Sequence, residues 1–167
     1  EYGFDPALDG SCSVYLVGFF RGSSMFGSTT LSGTNREAFV AKLSSGGNWL
    51  WAISAGGSGS DAAGQLAPLP NGNFLVVGHF ENSATFGTHS ISSTGAADTF
   101  AAEVDTGGSW ISVRGPADGA HGIGRDVVLD ANGSSYVVGN FSGRARFGSH
   151  LLTSTGGSDL FIARISP

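Results

Sequence analysis

VVGHFENSATFG occupies residues 76–87, and VVGNFSGRARFG follows at residues 137–148. A third version, LVGFFRGSSMFG, stands at residues 16–27. The Val-Gly pairs Val17-Gly18, Val77-Gly78 and Val138-Gly139 are 60 and 61 residues apart, and Phe26-Gly27, Phe86-Gly87 and Phe147-Gly148 keep those separations. Phe39, Phe100 and Phe161 are spaced 61 and 61, so one residue is gained or lost just before them. Trp49 and Trp110 continue at 61. The opening GFDPALDGSCSVYLVGFF from Gly3 runs alongside GRDVVLDANGSSYVVGNF from Gly124, so the period covers the chain. It divides one domain into repeats 1–61, 62–122 and 123–167.

The composition says what each repeat is made of. Glycine supplies 28 of 167 residues, but 12 Phe are interleaved with it, so a packed core is within reach. Charged residues are 13 % of the chain, about half the usual share. Apolar residues do not recur at i, i+3, i+4, i+7; they come in short bursts bounded by Gly, Ser, Asn and Asp, the pattern of an all-β chain. Each copy reads as four strands. The first is DVVLD at Asp126, weakened in the second copy (QLAPLP) by Pro68 and Pro70. An Asn-Gly turn follows at Asn71 and Asn132, suited to the positive φ of a hairpin. The second strand, SYVVGNF, is apolar on both faces, and its glycine marks a bulge or the close approach of another backbone. A longer loop carries Phe-Gly and a minor extended piece, then comes DLFIARI, with Phe161, Ala163 and Ile165 on one face and Arg164 on the other. The fourth strand is NWLWAISAGG or SWISVRGP.

A four-stranded antiparallel unit repeated at a fixed period, apolar on both faces, predicts radial stacking of blades in a β-propeller. Each blade alone would leave its faces wet. Val17, Phe20, Phe26, Phe39, Val77, Phe80, Phe86, Phe100, Val138, Phe141, Phe147 and Phe161 are the expected repeat core. Burying such a side chain contributes about 1.5–3 kcal/mol. A β-sandwich or β-solenoid of the same strands is the competing architecture.

GGSGSDAAGQLAPLPNGNFLVVG from Gly56, with GRDVVLDANGSSYVVG and DLFIARIS, resembles the bacterial beta-propeller repeat family often named for seven-bladed propellers. That family's pattern is similar to G-x-G-x-D, a short apolar strand ending in Asp, then Gly-Asn and Tyr-Val-x-Gly. Its first Asp falls on Asp61, with Glu1 and Gly122 at matching places; its second falls on Asp9 and Asp130, but on Leu69 in the second copy. The resemblance implies a secreted or surface-exposed module, usually non-catalytic, within larger bacterial proteins. Its motif is built of turns and core, so it speaks for fold rather than activity.

Propellers close with about four to eight blades. This chain carries three copies, and the third runs only to IARISP, ahead of the tryptophan strand. Two apolar blade faces would therefore be open, and patches of that kind mark interfaces. The expected partner is a second copy, two chains pairing head-to-tail into a six-bladed ring; neighbouring blades of a longer parent chain are the alternative.

The formal charge of −5 and the scatter of eight basic residues argue against nucleic acid. No stretch approaches the ~18 apolar residues of a membrane span. Cys12 stands where the other copies have Gly72 and Gly133, with no His or Lys beside it to make it reactive. His79, His89, His121 and His150 lack metal-binding spacings. GGSGSDAAG lacks the Lys of a phosphate loop, and no G-x-S-x-G elbow occurs, so no cofactor and no catalytic residue is assigned. Glu37, Asp98 and Asp159 precede the third strand and suit backbone N–H groups at that turn; calcium is the lesser reading. Lys42, Glu103 and Arg164 align on its polar side, where solvent is the expected surrounding.

Trp49, Trp51 and Trp110 lie in the fourth strand, and strict alternation puts Trp49 and Trp51 on one face. They either cap the layer between blades or stack on sugars. Together with Arg144 and Arg146 they form the candidate ligand or interface set. The functional expectation is a non-catalytic module for scaffolding, adhesion or self-assembly, with a glycan-binding, lectin-like propeller as the alternative.

Overall fold

The computed structural model describes residues 1–93, 96–116 and 120–166; residues 94–95 and 117–119 of the second repeat, and Pro167, lie outside the described residues. The described residues form strands and turns with no helix. The first repeat folds as β1 (Tyr2–Leu8), β2 (Val14–Phe26), β3 (Thr29–Leu43) and β4 (Trp49–Gly57). The second contributes β5 (Ala62–Pro68), β6 (Phe74–Phe80), β7 (Ser83–Phe86), β8 (His89–Ser92), β9 (Asp98–Val104) and β10 (Trp110–Arg114). The third contributes β11 (Ala120–Leu129), β12 (Ser135–Phe147), β13 (His150–Thr153) and β14 (Asp159–Ile165). All pairings between these strands are antiparallel.

Within each repeat the strands form a meander, β1-β2-β3-β4 in the first and β5-β6-β9-β10 in the second, with β11-β12-β14 in the third. From its residues the stretch around Phe-Gly is expected to be a loop with a minor strand. It is instead a hairpin: β7–β8 in the second repeat, the ends of β2 and β3 in the first, and the end of β12 with β13 in the third. Gly27, Gly87 and Gly148 hold positive φ (61°, 60° and 58°) at the first central position of its two-residue turn, as in a type II′ turn. The hairpin bends away at Gly22, Asn82 and Gly143, all with positive φ (68°, 61° and 80°). Asn is among the few side chains that enter this region readily. The β7–β8 hairpin thereby pairs with β4 of the preceding repeat, Gly56 opposite Thr85 and Gly57 opposite Ala84.

The Asn-Gly turn also differs from expectation. Cys12, Gly72 and Gly133 donate N–H to the carbonyls of Asp9, Leu69 and Asp130. Only the last residue of each turn has positive φ (59°, 87° and 81°). This is a type I turn with a following left-handed residue rather than a type I′ turn. Cys12 therefore holds a glycine's conformation.

The Val-Gly pair has a steric cause. A Cβ on Gly18 would lie 1.9 Å from the Tyr2 carbonyl oxygen and 2.8 Å from the Phe39 ring. At Gly78 the partners are the Ala62 carbonyl (2.0 Å) and Phe100 (2.8 Å); at Gly139 they are the Ile123 carbonyl (2.3 Å) and Phe161 (2.6 Å). The first strand bulges toward the second in each repeat, between Gly3 and Asp5, Ala63 and Gln65, and Gly124 and Asp126. The bulge carbonyl and the third-strand Phe take the space a side chain would need.

Candidate functional site

Each sheet has a face carrying the Phe-Gly phenylalanine and an opposite face carrying the valine of Val-Gly. Tyr15, Val17, Ala38 and Val40 of the first repeat pack on Phe74, Val76, Phe80, Phe86 and Phe100 of the second in one core cluster. Leu75, Val77 and Ala101 of the second pack on Val127, Val137, Phe141 and Phe161 of the third in another. The valine face of one repeat thus meets the phenylalanine face of the next, twice over. In the first repeat Phe20, Phe26 and Phe39 are buried in a third cluster with Leu31 of their own hairpin. They belong to the core, as expected, but against their own hairpin rather than another sheet. Phe147 and Val138 depart from the expected core: both are half-buried, Val138 on the valine face of the third repeat, which meets no further sheet among the described residues.

The centre of that face is apolar, flanked by Asn140 and Arg164. Ile162 is 64 % exposed, where the equivalent Val40 is at 0 % and Ala101 at 8 %. Leu160 and Val128 lie exposed beside it. The counterpart surface is the phenylalanine face of the first repeat. There Pro6, Val14, Leu16 and Leu43 are half-buried or exposed, while the equivalent Leu66, Phe74, Val76 and Val104 are buried.

The two internal interfaces are not filled alike. In the first, Tyr15 stacks on Phe74 with ring centroids 3.9 Å apart, and Trp51 meets Tyr15 edge-on at 5.7 Å. The equivalent positions in the second are Leu75, Ser112 and Ser135. Their smaller side chains leave a cavity of about 270 Å³, lined also by Glu103, Arg114 and Ile165.

The tryptophans serve packing, and the expectation that Trp49 and Trp51 share a face is overturned. Trp49 stands opposite Leu43 but Trp51 opposite Lys42, so a bulge intervenes and turns them to opposite faces. Trp49 packs edge-on against Phe26 at 5.1 Å, while Trp51 donates its Nε1–H to the Thr106 carbonyl (3.1 Å) in the first interface. Trp110, after the same bulge, is buried edge-on against Phe86 at 5.1 Å and donates Nε1–H to the Ser54 carbonyl at 3.1 Å. Arg144 and Arg146 stand on the β12–β13 hairpin, opposite Thr153 and Leu151. The candidate set is therefore divided among three repeats and does not converge on one site.

Lys42 and Glu103 are less solvated than expected, whereas Arg164 is exposed, as expected. Lys42 is buried and pairs with Asp9 at 3.0 Å. Glu103 Oε1 accepts from Asn71 Nδ2 (3.0 Å) and Asn73 Nδ2 (2.6 Å), and Arg164 donates to Ser134 Oγ at 2.8 Å. Each ties the first turn of its own repeat to the third strand. Asp9 and Asp130 work in those turns: Asp9 Oδ1 accepts the N–H of Ser11 and Ser13, and Asp130 Oδ1 those of Asn132 and Ser134. These bonds, led for Asp9 by the Ser11 hydroxyl, hold both carboxyls below the ordinary range. Asp159 Oδ2 likewise accepts the Thr155 N–H at 2.8 Å, as the sequence reading expects of it.

The crossing from first to second repeat is clamped by Asp61, which is buried. Its carboxylate accepts N–H groups of Gly57 (2.9 Å) and Glu81 (3.1 Å), while its own N–H donates to the Arg36 carbonyl (2.8 Å). Burial pushes the carboxyl up to about 6, against those two hydrogen bonds. Burial, helped by Arg36, holds nearby His79 down at about 4. Among the described residues no three His, Cys, Asp or Glu are grouped to hold a metal ion, and no helix is long and apolar enough to cross a membrane. No protein-family model matches the chain, and no curated protein matches it.

Proposed function

We propose that the chain is a run of β-propeller blades with a non-catalytic role in scaffolding or self-assembly outside the cell. In this reading two copies close head-to-tail, the third repeat of each against the first repeat of the other. One observation carries it: the valine-face-on-phenylalanine-face contact is made twice inside the chain, and the two faces left open are the two halves of that same contact. Because the halves differ, the contact is heterologous, and such contacts give rings where the rotation closes. Continuation of the contact would cover Val128, Leu160 and Ile162, the exposed apolar side chains of the third repeat's valine face. Light scattering on residues 1–167 at micromolar concentration is the test. A dimer that Leu160→Asp converts to monomer supports the reading; a parent chain that stays monomeric overturns it.

A second reading, a carbohydrate-binding propeller, is favoured by the hollow interface between the second and third repeats. Apolar Leu75 and Ile165 form part of the wall, with Glu103, Arg114 and Ser112 as polar groups. Ser112→Trp would refill the space as Trp51 fills its counterpart. Sugar binding on a glycan array that this variant abolishes would support the second reading; binding unaffected by it would place any sugar elsewhere.

A further inference from the structure

We propose that the outer edge of β14 and the groove beside it form an acceptor for an extended, tryptophan-bearing segment of a partner polypeptide, with acidic residues near its tryptophan. The groove holds about 720 Å³ and runs between β14, the β12–β13 hairpin and the end of β10. It is bordered by Phe147, Gly148, Phe161, Leu152 and Gly115.

The shape of the occupant is written elsewhere in the chain. In the second repeat β10 pairs with β9, Trp110 opposite Val104 and, after the bulge, Ser112 opposite Glu103. The first repeat keeps the same register, Trp49 opposite Leu43 and Trp51 opposite Lys42. Transferred by 61 residues, an added strand would set its tryptophan opposite Ile165 and its second following residue opposite Arg164. The ring would then stand edge-on to Phe147, as Trp110 stands to Phe86, with its N–H toward the Gly115 carbonyl, the counterpart of Ser54. Gly148 fits the same seat: a Cβ on Gly27 would meet Trp49 at 3.2 Å and one on Gly87 would meet Trp110 at 3.6 Å, while one on Gly148 meets nothing within 4 Å. Phe147 is only half-buried, whereas Phe26 and Phe86 are buried beneath their tryptophans. Sheet edges recognise peptides in this way, main-chain bonds supplying affinity and a side-chain pocket supplying specificity.

The charge of the groove distinguishes the occupant from the chain's own fourth strand. Among the described residues Arg114, Arg164 and His150 border it and no carboxylate does, although the chain as a whole is at −5. SWISVR carries an arginine of its own, so an acidic segment is the better complement.

The probe is a fluorescein-labelled peptide with the sequence of residues 106–116 bearing Arg114→Glu, titrated with residues 1–167 and followed by anisotropy. Saturable micromolar binding is expected, at least tenfold weaker with Trp110→Ala in the peptide and about fivefold weaker with its indole nitrogen methylated. The Arg114→Glu peptide should bind at least threefold tighter than the unaltered sequence at low salt, the advantage shrinking as salt is raised. In the protein, Phe147→Ala should weaken binding, while Val128→Asp, on β11 of the same open face and away from the β14 edge, should leave it unchanged. No binding, or binding indifferent to the tryptophan, overturns the proposal; loss of binding on Val128→Asp would attribute the peptide to the open face and overturn it as well.

Discussion

Gly78→Ala is the substitution that most directly tests why the Val-Gly phrase recurs. The new methyl would lie 2.0 Å from the Ala62 carbonyl oxygen and 2.8 Å from Cε1 and Cζ of Phe100. Neither neighbour is the loose end of a flexible side chain. The carbonyl belongs to the bulged strand β5, and Phe100 is fully buried in the first interface. Overpacking a filled site costs about 1–3 kcal/mol, and a backbone contact this short puts Gly78→Ala near about 3 kcal/mol. With an m-value of ~2 kcal/mol/M in urea, the unfolding midpoint should fall by roughly 1.5 M. Gly10→Ala is the control, because a Cβ there meets nothing within 4 Å; it should change stability by less than about 0.5 kcal/mol. Adding Phe100→Leu to Gly78→Ala should recover only part of the loss, since the carbonyl contact remains. Urea titration followed by tryptophan fluorescence reads all three. If Gly78→Ala unfolds at the same midpoint as Gly10→Ala, the close-approach account of the phrase is wrong.

Two further predictions concern the junction and the hairpin. Asp61, raised from 3.8 to about 6, keeps a proton that the unfolded chain releases, so its contribution to stability rises as pH falls from about 6 to about 4. His79, lowered from 6.5 to about 4, stays neutral while the unfolded chain gains a proton, so its contribution is lost over nearly the same window. Each is worth up to about 3 kcal/mol, and they oppose. The parent should show a nearly level stability from pH 6 to 4 and Asp61→Asn a steep acid loss, with His79→Gln showing a gain; denaturation midpoints across that range would expose parallel profiles if the assignment is mistaken. Asn82→Val places a β-branched residue at φ 61°, costing about 1–2 kcal/mol, whereas Asn82→Gly should be close to neutral; thermal melts that rank the two equally would refute the kink.

The repeat, the strands and the buried phenylalanines were legible in the chain because they depend on local chemistry: alternation, turn residues and a period that every copy must satisfy. The type of the Asn-Gly turn and the Phe-Gly hairpin were less so. Gly22, Asn82 and Gly143 do align, but their shared positive φ is a backbone fact that Asn82 conceals behind a different side chain. Lys42, Glu103 and Arg164 carry three different groups, and only the fold shows that each reaches the first turn of its own sheet.

By itself the sequence determined how many copies there are, what each is built from, and that each needs company on both sides. Tertiary structure decided which face meets which, where the tryptophans point and where space is left. The reason is geometric: one bulge turns Trp51 away from Trp49 without any change in composition. The hollow between the second and third repeats exists because Leu75, Ser112 and Ser135, far apart along the chain, replace three aromatic rings at a single place in space.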